Sequence, residues 1–245
     1  MNGYTFYSAG HTAALQHTVT ALKRKGCTFA NVPTSKVTHL LLDVPNHSDC
    51  NDILPLLPDT VTVIGGNLKP EDFHNREIID LLKDPYYLAQ NANITAHCAV
   101  KLAMGHLPVT LQNCPVLVVG WGRIGKCLAA LLKQMGAIVS VAARKESDRA
   151  ILTALGYDTE DLSQNTYALV RYRVIFNTVP TMVLPEESLQ YCQEDCLKID
   201  LASAPGMAGD DIIIAKGLPS KLAPESSGEL IGKAVLRQIV TNKKE

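Results

Sequence analysis

Short apolar runs alternate along the whole chain with helix-length amphipathic stretches, the pattern that specifies a parallel sheet wrapped by helices. The strands predicted first are 4–8 (YTFYS), 38–44 (THLLLDV) and 61–66 (VTVIGG). Ala14, Leu15, Val19 and Leu22 fall at helical spacing and predict a helix over Thr12 to Lys25. Pro70 and the acidic residues after it predict another over Glu71 to Leu82. Asp84-Pro85 breaks that helix, and Ile94, Cys98, Leu102 and Leu107 set up a connecting helix that ends before Pro108. A second series of strands follows at 116–120, 138–143, 174–179, 197–202 and 212–215. Ser226 to Val240 closes the chain as a helix with Leu230, Ile231, Ala234 and Val235 as its apolar stripe. The expected class is α/β: a doubly wound parallel-sheet Rossmann domain plus a smaller flavodoxin-like βα N-terminal lobe. The expected division is a substrate-side lobe over 1–90, a connecting helix over 91–108, a nucleotide domain over 109–222, and a C-terminal helix over 223–245 packing back toward the first lobe.

Composition narrows the function classes. With 245 residues, 47% of them hydrophobic and 19% charged, the chain can bury a sizeable core and is not of disordered composition. A net charge of -1 gives no support for binding nucleic acid through bulk charge, so a small molecule is the expected partner. A homo-oligomer is the expected state. Neither a membrane-spanning run nor a basic-then-apolar leader is present in the sequence, and the expected location is the cytoplasm. The seven cysteines are scattered among apolar neighbours and form no CxxC pair, as small core residues do. Cys192 and Cys196 could be half a metal site, but no histidine lies near, so no metal is expected.

The strongest motif is VLVVGWGRIGKCLAALLKQMGAIVSVAARK at 116–145. Gly120, Gly122 and Gly125 follow a strand, open a helix and precede a second strand, as the dinucleotide fingerprint requires. The first glycine permits a tight turn and the second lets backbone approach a pyrophosphate. The third lets helix and strand pack closely, while the helix start at Arg123 and Ile124 offers free N–H groups. Ile124, Cys127, Leu128, Leu131, Leu132 and Met135 give that helix one buried face.

The end of the second strand selects the dinucleotide. An NAD site places an acid there for the ribose 2′-OH; this chain reads Ala142-Ala143-Arg144-Lys145. Arg144 and Lys145, with Ser147 near, suit a 2′-phosphate and point to NADP; the alternative is a solvated charge cluster continuing through Glu146, Asp148 and Arg149. Thr178, Val179 and Pro180 after one strand, and Leu201 and Ala202 after the next, sit at carboxyl ends, where ligands bind in open α/β sheets. Asp200 there is either catalytic or a turn-stabilising carboxylate.

Four stretches together carry a family resemblance: the 116–145 block, VIFNTVPTMVL (174–184), IDLASAPG (199–206) and GLPSKLAPESSGELIGKAVLRQI (217–239). In order and spacing they resemble the dipicolinate synthase A family, fold relatives of the D-2-hydroxyacid dehydrogenases. NANITAHCAVKLAM (91–104) resembles the family's interdomain helix more loosely, and residues 1–90 share only the general pattern. The resemblance implies NADP-dependent dehydrogenation of a dihydrodipicolinate-type ring to pyridine-2,6-dicarboxylate, a spore component, together with a flavoprotein-like partner subunit. Three departures stand against it. Thr95-Ala96-His97-Cys98 replaces the family's T-x-E-G acid, the N-terminal lobe is short, and the Gly206–Ile212 segment is too short for the family's helix.

A cyclic dicarboxylate needs cationic or N–H donors, and its dehydrogenation needs a proton acceptor. His97 is the first candidate, as base or carboxylate ligand, with a half-buried helix histidine as the plain alternative. Lys221 is the second, in the turn before the last helix; Ser226 and Ser227 either join it or cap that helix. His11, Asn46 and His47 also follow strands and are either loop or ligand residues. Two other readings stay open: a non-catalytic NADP-binding sensor or partner-dependent subunit, and an enzyme of the 2-hydroxyacid dehydrogenase type.

Overall fold

A computed structural model describes residues 4–47, 49–74 and 76–241. The described residues form two compact units, one running up to Ile94 and resuming at Pro219, the other spanning Thr95–Leu218. The chain therefore divides inside a helix, α2 (Pro85–His106), and the segment expected as a separate connecting helix over 91–108 is the latter part of that longer element.

The first unit holds a five-stranded, all-parallel sheet in the order β2-β1-β3-β4-β5, the flavodoxin-like winding, built from β1 (Thr5–Ala9), β2 (Thr28–Phe29), β3 (His39–Leu42), β4 (Thr62–Gly65) and β5 (Ile78–Asp80). β3 and β4 are buried at every position, so after the polar His39 and Thr62 that open them they run apolar without alternating. α1 (Ala13–Arg24) lays Ala14, Leu15 and Leu22 on one face of the sheet, together with Phe6, Leu41 and Ile64. The same core takes in Leu230, Ile231, Ala234, Val235 and Ile239 from α7 (Pro224–Thr241). The two helices touch so closely at Gly228 that a β-carbon there would stand 2.5 Å from the carbonyl of Ala14.

Two expectations fail here for one reason. Pro85 and Pro224 stand at the first position of α2 and α7, where a missing N–H costs nothing, so each proline starts a helix. Asp84 accepts the Tyr86 N–H at 3.0 Å and caps α2, and Ser226 and Ser227 lie within α7 instead of capping it. The helix expected over Glu71 to Leu82 is absent. Pro70–Phe73 is a 3-10 turn, β5 follows it, and the Asp80 carboxylate then collects the N–H groups of Asn67, Leu68 and Leu82.

Asp84 is buried and ion-paired with Arg237 of α7. Burial alone would raise its pKa, but the hydrogen bonds from Arg237, Gln238 and the Tyr86 N–H outweigh it and hold the carboxyl below its ordinary value. A depressed folded-state value gives stability that is present above the ordinary carboxylate range and is lost as pH falls through the folded value. Asp84→Asn is thus expected to flatten the acid limb of the stability curve, measured by denaturant titration from neutral pH downward.

The second unit is a six-stranded parallel sheet in the order β11-β10-β9-β6-β7-β8. Its strands are β6 (Pro115–Val119), β7 (Ile138–Ala142), β8 (Asp158–Glu160), β9 (Val174–Asn177), β10 (Leu197–Asp200) and β11 (Ile212–Ile214), with α3 (Arg123–Gln134), α4 (Glu146–Ala154) and α5 (Glu186–Leu189) between them; α6 (Leu218–Leu222) follows. This is the double winding of dinucleotide-binding domains, and the strand order reverses between β6 and β9. α3 buries Gly125, Leu128, Ala129 and Leu132 fully, with Ile124, Cys127, Leu131 and Met135 half-buried beside them. Gly125 and Ala129 let the helix approach the sheet while Leu128 and Leu132 fill the seam. β8 is too polar to be expected from pattern. It forms because its partner β7 is in place and because buried Glu160 pairs with Arg171 and accepts the Tyr172 hydroxyl at 2.6 Å.

Candidate functional site

Each sheet has one point where its strand order reverses, and the two points are built differently. In the first unit this point lies between β1 and β3. The turn after β1 opens α1, and the Asp43 carboxylate, from the end of β3, fills the helix start. It accepts the backbone N–H groups of His11 at 3.0 Å and Thr12 at 3.3 Å, and also the Thr12 hydroxyl. Thr12 in turn caps Leu15 N–H at 3.2 Å. Asp43 thus occupies the turn that leads into α1, bonded to the two residues before its first turn, while the helix's own Leu15 N–H is capped by Thr12.

The second unit leaves the equivalent place open. Gly120 ends β6 at φ +105°, a left-handed conformation that suits glycine, and donates to Ala142 O at 2.9 Å. A β-carbon on Gly120 would stand 2.5 Å from Thr178 Oγ1, and one on Gly125 would stand 2.1 Å from the carbonyl oxygen of Gly120. Gly125 is required by close backbone approach, and Gly120 by its φ and by the Thr178 and Val179 side chains packed against it. Gly122 differs: it is exposed, caps α3 with no side-chain hydrogen bond, and a β-carbon there would meet nothing within 4 Å. The N–H groups of Arg123 and Ile124 follow at the helix start with no side-chain cap. This cradle fits the pyrophosphate of a dinucleotide: a tight turn, an open side at its middle glycine and an uncapped helix N-terminus.

Thr178 and Val179 are half-buried and Pro180 is exposed just after β9. Thr178 donates from both N and Oγ1 to Val119 O, each at 2.9 Å, which pins the β9 turn against the glycine loop. Leu201 and Ala202 are buried, so any contact with a ligand would run through their backbone. Asp200, 1% exposed, takes Asn177 Nδ2 at 2.9 Å and Ala202 N at 3.0 Å on one oxygen, and Gly206 N at 2.8 Å and Met207 N at 3.3 Å on the other. Of the two roles open to Asp200, the turn-stabilising one accounts for all these bonds.

Beyond β7, Arg144 and Lys145 are both exposed at the turn into α4. Their presentation depends on Arg149, which in sequence is one member of a charge run. Arg149 Nη1 donates to Ala143 O at 2.7 Å and Arg144 O at 2.9 Å, and pairs with Asp161 at 3.0 Å. Asp43 is likewise not evident from pattern. Its signal, an acid ending an apolar strand, is one that only the fold connects to α1.

The substrate candidates are divided between the two units. His97 is exposed on α2 within the second unit, which removes the half-buried alternative; Lys221 is exposed on α6 within the first. His11 is held by its N–H to Asp43, whereas Asn46 and His47 join Asn67 and Lys69 around a cavity of about 420 Å³ in the first unit. Among the described residues no helix is long and apolar enough to cross a membrane.

This fold, with an open glycine cradle at the switch point of a doubly wound sheet, is that of the two-lobed, Rossmann-type dehydrogenases. No family profile matches the chain. The chain is similar to dipicolinate synthase A: it is 28% identical to that protein of Bacillus subtilis (strain 168) over 171 residues, 65% of this chain. The match spans 57% of the curated relative's length. The crystal structure of dipicolinate synthase A from Bacillus halodurans superposes with a TM-score of 0.84 at 21% identity, covering 96% of this chain and 97% of that one. A transhydrogenase from Sinorhizobium meliloti has a TM-score of 0.74 at 12% identity, covering 97% of this chain and 93% of that one.

Proposed function

We propose that the chain is an NADP-dependent oxidoreductase of the dipicolinate synthase A type, dehydrogenating a dihydrodipicolinate-type ring to pyridine-2,6-dicarboxylate. The observation that carries the reading is the contrast between the two switch points: the turn into α1 is occupied by the Asp43 carboxylate, while the turn into α3 is open at Gly122. Gly120, Gly122, Arg123, Ile124 and Gly125 would hold the pyrophosphate, and Thr178, Val179, Pro180, Leu201 and Ala202 would border the ribose and nicotinamide. Arg144 and Lys145 would take the 2′-phosphate, on a turn that Arg149 holds in place. The bound nicotinamide supplies the hydride acceptor. The ring also loses a proton, for which exposed His97 is the first acceptor to test and Lys221 the second. The proposal includes a flavoprotein-like partner subunit and self-association of the chain.

Arg144→Asp is expected to weaken NADP binding tenfold or more. Charge-assisted hydrogen bonds contribute ~1.5–3 kcal/mol, and about 1.4 kcal/mol is a factor of ten. NAD affinity should change less. Calorimetry that finds NAD tighter than NADP in the unaltered protein would refute the 2′-phosphate assignment.

His97→Ala is expected to lower turnover of enzymatically generated dihydrodipicolinate by roughly 10²–10⁴-fold, the span for a lost general base. Because His97 is exposed, the melting temperature and NADP affinity should stay put. An unchanged rate moves the base to Lys221. NADP binding with no turnover, alone or with the partner subunit, favours the non-catalytic sensor.

A further inference from the structure

Cys192 and Cys196 lie between α5 and β10, and neither serves the nucleotide cradle. Cys192 N–H donates to Leu189 O at 3.0 Å, and the chain then turns back so that Cys196 N–H reaches Gln193 O at 3.0 Å. The reversal sets Cys192 against the core cluster that holds Cys196, near enough for a thiol–thiol hydrogen bond to act on both titrations. Cys192 is half-buried, whereas Cys196 is buried in the core with Leu189 and Met207.

Lys198, two residues on, is itself buried, and its ammonium donates to the Cys196 carbonyl at 3.3 Å and pairs with Asp211. The Cys196 hydrogen bond and the Lys198 charge hold the Cys192 thiol below its ordinary value, against the opposing effect of burial. The same hydrogen bond, together with burial, pushes Cys196 well above it. Cys27, Cys50, Cys98 and Cys114 are each raised by burial. A metal does not explain the pair, because the described residues contain no group of three or more His, Cys, Asp or Glu able to hold one.

We propose that Cys192 and Cys196 are a reversible dithiol–disulfide pair for low-molecular-weight disulfides, with Cys192 attacking and Cys196 resolving. The Cys192 thiolate attacks one sulfur of the oxidant, forming a mixed disulfide and expelling one thiolate. The Cys196 sulfur, giving up its proton, then attacks Cys192 Sγ and expels the second thiolate. The protein loses two electrons and two protons, and the oxidant is reduced to two thiols. The half-exposed, lower-pKa sulfur meets the reagent and the buried one closes the ring, the arrangement found in redox-sensing cysteines.

The test uses the native full chain incubated with oxidised and reduced glutathione, quenched by alkylation and digested with trypsin. Cleavage after Arg173 and Lys198 leaves both cysteines in one peptide. The expected result is a peptide lighter than its dithiol form by two hydrogens and closed to alkylation, while Cys27, Cys50, Cys98 and Cys114 are alkylated once the protein is unfolded. Cys196→Ser should accumulate glutathione on Cys192. Cys192→Ser should slow reaction at Cys196 by at least ~10-fold, as expected for a protonated, buried thiol. The unaltered protein carries the decisive arm, so a variant that fails to fold does not blur it. A doubly alkylated peptide under fully oxidising glutathione overturns the proposal, and so does an adduct in Cys196→Ser that prefers another cysteine to Cys192.

Discussion

Asp200→Ala is expected to cost about 4 kcal/mol or more of stability, near the top of the range for single substitutions, because it breaks a buried hydrogen-bond network. The carboxylate, 1% exposed, satisfies Asn177 Nδ2 and the N–H groups of Ala202, Gly206 and Met207. Alanine leaves those donors buried without an acceptor, each such loss costing ~1–3 kcal/mol before the loops relax. The damage should be shared. Asn177 also holds the Val179 backbone at 3.0 Å through both its N–H and carbonyl, so the β9 turn should loosen with the β10 turn. Chemical denaturation would show the loss, and hydrogen exchange would place it in 177–184 and 200–207. Asp200→Asn, which keeps one acceptor oxygen and the shape, should lose distinctly less. Equal losses in the two variants would mean that both oxygens are needed as acceptors, since the asparagine amide nitrogen would face two N–H donors.

Gly125→Ala should have the larger effect on binding. The added carbon would stand 2.1 Å from Gly120 O, an atom of backbone that cannot rotate away. Overpacking in a core costs ~1–3 kcal/mol and occasionally more. Relief here requires α3 to move from β6 or the glycine loop to shift. Either movement displaces the donors at Arg123 and Ile124, so dinucleotide affinity should fall by about 100-fold, roughly 2.7 kcal/mol. Gly122→Ala is the control: its carbon meets nothing within 4 Å, so the protein should remain as stable while any ligand in the cradle meets the new methyl. Dinucleotide binding by Gly125→Ala at unaltered affinity would remove the cradle from consideration.

Much of the second unit was legible in the sequence because its signals are local. Strand β6, helix α3 and strand β7 carry both periods and all three glycines within thirty residues, and the order of events along the chain is the order in space. What pattern missed was set by distant partners. Thr28–Phe29 is too short to show a period and is a strand only because β1 lies beside it. Asp158–Glu160 has no apolar alternation and is completed by β7, Arg171 and Tyr172. Pro85 and Pro224 carry opposite meanings at the two ends of a helix, and only the capping at Asp84 and the packing of α7 on α1 decide which applies. Of the candidate site, the glycines and Arg144 were evident from spacing. Arg149 was hidden because a guanidinium that braces a turn looks, in sequence, like one more surface charge.

Asp43 acts as an intramolecular ligand for α1. Tethered by the fold, it is present at an effective concentration that a dissolved phosphate would have to exceed to displace it. On the proposed function, the free energy of nucleotide binding would enter at the open glycine cradle. A ligand at a hundredfold excess over its dissociation constant adds about 2.7 kcal/mol to whatever holds it, and in this chain that increment would accrue to the half built on β6 and α3. The half built on β1 and α1 gains no such increment at Asp43, whose carboxylate the chain itself holds against His11 and Thr12.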